Sequence, residues 1–152
     1  MKNRAVKDIA FVGIQIVLFV LYVIPAPSDS FDLSIWLHYA SLMLAITGFV
    51  VVTLAIVQLN KNLTPFPTPK TTGTLIQTGL YRYVRHPIYS GILFMAIGFG
   101  IFQESTWKLS ISVLLWVLFY FKSRYEETLL MKQYPDYEAY RTRTSRFFPF
   151  FL

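Results

Sequence analysis

Four apolar stretches divide the chain, and they restrict its fold more than any other feature. They run about Ile9 to Ile24, Leu33 to Leu59, Ile88 to Phe102 and Trp107 to Phe121. A helix that crosses a bilayer needs roughly 20 apolar residues, because lipid cannot satisfy backbone polar groups left unpaired. The second stretch meets that length unaided. The other three need polar flanks, a tilt or a locally thin bilayer. Composition agrees: 55% of the 152 residues are hydrophobic and only 14% are charged, against roughly 25% in soluble domains. The expected fold class is an all-α integral membrane protein with about four transmembrane helices and a cytoplasmic C-terminal helical region. It forms a single membrane domain over 1–152, opened by two transmembrane helices within 1–59.

The basic residues orient this arrangement. Lys2, Arg4 and Lys7 precede the first stretch. None lies between the first and second, where only Asp29 and Asp32 are charged. Lys61, Lys70, Arg82 and Arg85 lie between the second and third, and Lys108 alone between the third and fourth. Lys122, Arg124, Lys132, Arg141, Arg143 and Arg146 follow the fourth. All but one of the 14 basic residues therefore fall on one side of a four-pass chain, which the positive-inside rule assigns to the cytoplasm. Both termini and the segment Asn60–Pro87 are expected there, in a prokaryotic inner membrane. Trp36, Tyr39 and Trp107 fit interface anchors on the far side. The net charge of +6 thus reads as membrane topology, and no nucleic-acid partner is expected. The first stretch has a secretory-signal pattern, with small residues at Pro25-Ala26-Pro27-Ser28, and is expected to stay as a signal-anchor helix. The absence of cysteine excludes disulfides, thiolate metal sites and a cysteine nucleophile. No metal site is expected.

The remaining segments carry the chemistry. Pro65, Pro67, Pro69 and Pro87 preclude a long helix over Asn60–Pro87 and favour extended chain. The fourth helix is expected to continue through Glu126-Glu127, and Pro135 to sit in the first turn of a short helix. The run Arg146–Leu152 is expected at the membrane surface. In the third stretch, Gly91, Gly98 and Gly100 serve either close helix packing or room for a ligand, with packing first. Ala96 and Gly100 form a small-xxx-small pair. The run Gly79–Gly91 gathers Tyr81, Arg82, Arg85, His86 and Tyr89 at the start of a helix opened by Pro87. Free N–H groups there, with Arg85, make an anion site. Headgroup binding by the arginines and helix capping by His86 explain the same residues equally well. Glu126 and Glu127 supply an acidic counterpart. Adjacent helix residues point about 100° apart, so only one of the two faces a given site. Tyr125, Tyr134, Tyr137 and Tyr140 read more readily as an interface belt than as a ligand box.

Taken together, Gly79-x-Tyr81-x-Tyr83-x-Arg85-His86-Pro87-x-Tyr89-x-Gly91, the Glu126-Glu127 pair, Tyr137-x-x-Tyr140, the lead-in Asn62-Leu63-Thr64-Pro65-x-Pro67-x-Pro69 and Phe148-Pro149 resemble the isoprenylcysteine carboxyl methyltransferase family, related to the phospholipid methyltransferases. The resemblance covers about Asn60 to Pro149 and marks 60–152 as a methyltransferase-like catalytic region. It implies a membrane-embedded enzyme dependent on S-adenosylmethionine, with S-adenosylhomocysteine as product and no Rossmann fold. The chain is shorter than the eukaryotic members and looks like a minimal prokaryotic form. The cofactor is expected against Tyr81, Arg85, His86, Pro87, Tyr89, Gly91, Glu126 and Glu127, with Arg85 and Glu127 carrying most weight as catalytic positioning residues. The acceptor is expected to be lipophilic: an isoprenylcysteine-like carboxylate, a thiol or a lipid amine. Two other classes are compatible, a sterol-reductase-like membrane enzyme using NADPH and a non-catalytic lipid-binding or assembly module. A reporter fused after Leu152 tests the topology: it is expected to read cytoplasmic, and a periplasmic reading would refute the both-ends-in arrangement.

Overall fold

A computed structural model describes residues 2–25 and 31–149, with side chains from Val6 onward. Five helices account for most of it: α1 Lys2–Val23, α2 Ile35–Leu59, α3 Pro87–Phe102, α4 Thr106–Gln133 and the short α5 Tyr137–Arg141. Among the described residues there is no β-strand, only an isolated parallel bridge between Val84 and Ser145. The all-helical class is as the sequence leads one to expect. α1 and α2 are each long and apolar enough to cross a membrane, and α3 is a shorter apolar helix. Pro87 opens α3, where its missing N–H costs nothing. Ser105 caps α4 by accepting from the Lys108 N–H. The expected continuation of the fourth helix extends to Gln133, and the short helix begins two residues after Pro135. The residues Phe150–Leu152, expected at the membrane surface, lie outside the described part, as do 26–30.

The helices pack in a row, with α1 on α4, α4 on α3, and α3 most extensively on α2. The α2–α3 seam is set by missing side chains. A Cβ on Gly48 would stand 2.5 Å from the Gly91 carbonyl oxygen, and one on Gly91 would stand 2.7 Å from that of Gly48. Gly98 meets the backbone of Ser41 and Ala45 in the same way. Packing is therefore the role of Gly91 and Gly98. Small residues at helical spacing let two backbones touch where lipid supplies no hydrophobic drive. The expected Ala96–Gly100 pair does not make this seam, since Gly100 faces Lys108 and Leu109 of α4.

The α1–α3–α4 side holds the apolar core, built from Leu18, Leu93, Ile111, Leu115, Phe119 and Phe147 with their neighbours. Large apolar residues on α1 and α2, among them Ile9, Val20, Trp36 and Phe49, remain exposed, as lipid-facing surface does. Trp107 is not an exposed anchor. Its indole N–H donates to the Leu21 carbonyl at 2.9 Å, and the Lys108 ammonium reaches the Tyr22 carbonyl at 3.3 Å. Both satisfy carbonyls that the end of α1 leaves open, and the cation sits at the negative pole of that helix. The lone basic residue of the α3–α4 turn is thus employed as a C-terminal cap. A bulkier side chain at the seam has nowhere to go. Gly48→Val is expected to lower stability by at least about 1–3 kcal/mol, read as an earlier unfolding midpoint in detergent, whereas Gly13→Ala, which meets open space, should leave it nearly unchanged.

Candidate active site

The site begins with a turn that only glycine makes easily. Gly79 has φ +61°, and the following Leu80 N–H donates to Gln58 Oε1 of α2 at 2.8 Å. This fixes the turn Gly79–Arg82 against α2 and buries Tyr81, whose hydroxyl reaches the Ala55 carbonyl. The chain then runs beside the C-terminal segment. The Arg85 N–H donates to the Ser145 carbonyl at 2.9 Å and the His86 N–H to the Arg146 carbonyl at 3.1 Å. Those two N–H groups, expected to be free for an anion, are therefore already bonded. His86 stands at the N-cap of α3 but makes no side-chain capping bond.

One carboxylate organises the next layer. Glu127 is 2% exposed and accepts from four donors. These are Arg85 Nε at 2.8 Å, His86 Nε2 at 3.2 Å, Arg146 Nη2 at 2.9 Å and Arg146 Nε at 3.3 Å. Arg85 also donates to the carbonyls of Arg141 and Thr144. Hydrogen bonds from His86, Arg146 and Arg85 outweigh desolvation and hold the Glu127 carboxyl far below the usual range. Its neighbour behaves oppositely. Glu126 accepts from the Tyr89 hydroxyl at 2.9 Å, and burial pushes its carboxyl up. Tyr89 stacks on His86 at 5.3 Å and on Phe119 at 4.6 Å.

A cavity of about 320 Å³ opens between the proline segment, α3, α4 and α5. Tyr81, Arg85, His86, Tyr89 and Glu126 line it. Pro87, Gly91 and Glu127 are not among its lining residues. Gly91 lies in the α2 seam and Glu127 in the arginine cluster. The geometry thus separates the paired acids: Glu126 faces the cavity and Glu127 faces away. Tyr134, Tyr137 and Tyr140 also line it. This corrects the interface-belt reading of these three residues. Tyr137 and Tyr140 are 1% and 4% exposed, and the Tyr140 hydroxyl, pushed up to about 12 by burial, donates to the Tyr81 carbonyl at 2.7 Å. The buried Tyr137 hydroxyl has no hydrogen-bond partner among the described residues. Tyr125 instead stacks on Phe11 of α1.

Three participants escape a linear reading. Arg146 reaches Glu127 only because the chain doubles back along Tyr83–His86. Gln15 of α1 and Lys122 of α4 line the cavity from helices whose patterns read as plain membrane spans. The one available cue was Lys122 itself, a charge at the immediate end of an apolar run.

A second, almost wholly apolar crevice of about 390 Å³ lies deeper along the same helices, lined by Phe19 and Tyr22 of α1, Ala45 and Phe49 of α2, and Met95 and Phe99 of α3, among others. Ile92 borders both spaces.

The adjacent acids give opposite stability effects. Glu127→Gln breaks a buried ionic cluster and is expected to cost about 3–5 kcal/mol at neutral pH. Its folded-state carboxyl titrates below the unfolded one, so that contribution is present above about pH 4.3 and is lost as pH falls below it. The gap between wild type and variant in detergent unfolding should close on acidification. Glu126→Gln removes a carboxylate that burial disfavours and should be neutral or stabilising at pH 7.

The chain is similar to known proteins. The model of the phospholipid methyltransferase family (PEMT) matches residues 36–137. Residues are 36% identical over 49% of the chain to the nickel-cobalt-cadmium resistance protein NccN of Alcaligenes xylosoxydans xylosoxydans, covering 36% of that protein. They are 29% identical over 76% of the chain to a probable protein-S-isoprenylcysteine O-methyltransferase of Oryza sativa subsp. japonica, covering 62% of it. The fold superposes on the eukaryotic intramembrane Ras methyltransferase ICMT with a TM-score of 0.67 at 24% identity, over 98% of this chain and 52% of that one. The chain therefore spans about a third to two thirds of the length of these proteins. The resemblance read from the Arg-His-Pro and Glu-Glu elements holds, and the chain belongs to the phospholipid methyltransferase family.

Proposed function

We propose that the chain is a membrane methyltransferase that uses S-adenosylmethionine and acts on a lipophilic acceptor. The supporting observation is the pairing of two spaces. A cavity that presents Glu126 and the Tyr137 hydroxyl among apolar walls adjoins an almost wholly apolar crevice across Ile92. The names of the similar isoprenylcysteine methyltransferases agree with such a reaction. The reading places residues 60–152 as the catalytic region and 1–59 as two membrane-crossing helices that complete its walls. It carries four crossings with both ends cytoplasmic.

The cavity's residues fit the donor. Its ammonium and sulfonium call for a carboxylate, which Glu126 presents. Its ribose calls for a hydroxyl partner, which Tyr137 can provide. Its adenine calls for apolar walls, which Leu59, Leu63 and Ile76 supply. Bound there, S-adenosylmethionine supplies an activated methyl group and leaves as S-adenosylhomocysteine. The protein's task is alignment, worth roughly 7–11 kcal/mol where it is complete. Arg85 and Glu127 contribute as positioning residues, since their cluster fixes His86 and the start of α3. A carboxylate acceptor needs no base. An amine or thiol must lose a proton, and Glu126, its carboxyl pushed up by burial, is the cavity group suited to receive it. The acceptor's apolar part lies in the crevice, entered from the bilayer.

Calorimetry on the lipid-reconstituted protein tests this. It should show binding of S-adenosylhomocysteine, and Glu126→Gln should weaken it about tenfold or more, the scale of a lost charged hydrogen bond. No binding at millimolar concentration in a folded sample contradicts the proposal.

A further inference from the structure

Between the short turn Asn60–Asn62 and the turn Gly79–Arg82 the chain forms no helix or strand, yet Leu63, Pro65, Pro67 and Ile76 of this segment form one wall of the cavity. Near Gly73 it is held by the Gln133 amide on the Lys70 carbonyl, at 2.7 Å, and by the pair Asn62–Thr74. At its proline end the hold is Lys122, whose ammonium donates to the Pro65 carbonyl at 3.1 Å and to Gln15 Oε1 of α1 at 2.6 Å. Lys122 is 2% exposed and lies 5.4 Å from the Tyr89 ring centroid. A buried ammonium stays charged only among good partners. Here two uncharged oxygens hold it directly, while two carboxylates, Asp8 and Glu126, attract it without forming an ion pair.

Asp8 supplies the second observation. It is 7% exposed on α1, and its Oδ1 is buried with no hydrogen-bond partner among the described residues. A buried carboxylate oxygen left unpaired is costly and calls for an explanation. Asp8, Phe11 and Gln15 share one face of α1 at helical spacing. Phe11 stacks on Tyr125 of α4 and Gln15 holds Lys122, so this face looks onto α4. The Thr68 hydroxyl in the proline segment is likewise buried and unpartnered. The closed arrangement therefore leaves polar groups unsatisfied on α1 and in the proline segment.

We propose that Lys122 is a latch: on the Pro65 carbonyl and Gln15 it holds the proline segment closed over the cavity, and on the unpartnered Asp8 oxygen it lets that segment open. Each position satisfies groups that the other leaves bare, which keeps the two arrangements close in free energy. Asp8 and Gln15 are then positioning residues acting through Lys122. Nothing in α1 touches the arginine cluster among the described hydrogen bonds, so this is how an apolar membrane helix governs a cytoplasmic site. The role in admitting the methyl donor rests on the function proposed above; the latch itself does not.

Hydrogen–deuterium exchange on the full chain in lipid nanodiscs, without donor, reads the latch directly. Lys122→Met should speed exchange across residues 63–76 at least fivefold, with α3 and α4 unchanged, and Lys122→Arg should restore near wild-type protection. Asp8→Asn, close in shape to the native residue, should slow exchange in the same segment, because the open seat loses its negative charge and weakens. It should also slow S-adenosylhomocysteine release severalfold. A merely structural Asp8 would change exchange in α1 and α4 as well, rather than in residues 63–76 alone. Faster or unchanged exchange in Asp8→Asn overturns the proposal, as does unchanged exchange in Lys122→Met. If Lys122→Met does not fold, the sign of the Asp8→Asn effect decides alone. If the exchange pattern holds but S-adenosylhomocysteine does not bind, the latch stands and the donor assignment falls.

Discussion

The site depends on the Glu127 carboxylate. Three basic side chains from two distant parts of the chain, Arg85 and His86 before α3 and Arg146 near the end, converge on its two oxygens. Removing either arginine leaves the buried carboxylate underpaired, so the cluster acts as a unit. It locks the start of α3 to the C-terminal part of α4 and pins the C-terminal segment alongside Tyr83–His86. His86 and Tyr89, fixed by that lock, then line the cavity. The residue that organises the site thus stands behind it, and its neighbour Glu126 does the facing.

Backbone contact sets the other boundary. Gly48, Gly91 and Gly98 bring α2 and α3 together closely enough that the turn Gly79–Arg82 can bond to Gln58 and Ala55. That turn carries Tyr81 into the cavity. Across the row, α1 and α4 place Gln15 and Lys122 at the same depth. Two turns further into the apolar region, the same helices supply the walls of the crevice. A cavity with polar groups on its border and an apolar crevice, sharing Ile92, suit the donor and the acceptor proposed above.

Much of this was legible in the sequence because it follows from local rules. The apolar stretches, Pro87 at the start of α3 and the continuation of α4 past Phe121 come from hydropathy, proline geometry and helix period. The family elements also stood out, since they concentrate charge beside apolar runs. What was not legible depends on long-range pairing. The parallel bridge Val84–Ser145 brings Arg146 to Glu127 and occupies the N–H groups of Arg85 and His86, and no local pattern announces it. The orientation of two adjacent acids is fixed by what packs on each face of α4. The three C-terminal tyrosines looked like interface residues because spacing does not reveal that α5 folds under the cavity. Trp107 looked like an anchor because its bond to the end of α1 joins helices far apart in sequence.

The account rests on one division of labour: Glu126 meets the ligand and Glu127 holds the arginines. A structure of the lipid-embedded protein with S-adenosylhomocysteine tests it most directly. The account predicts the ligand in the 320 Å³ cavity, its ammonium on Glu126 and a polar atom on the Tyr137 hydroxyl, with the Glu127–Arg85–Arg146 bonds intact. A ligand seated elsewhere, or one contacted by a Glu127 that has released its arginines, would contradict it.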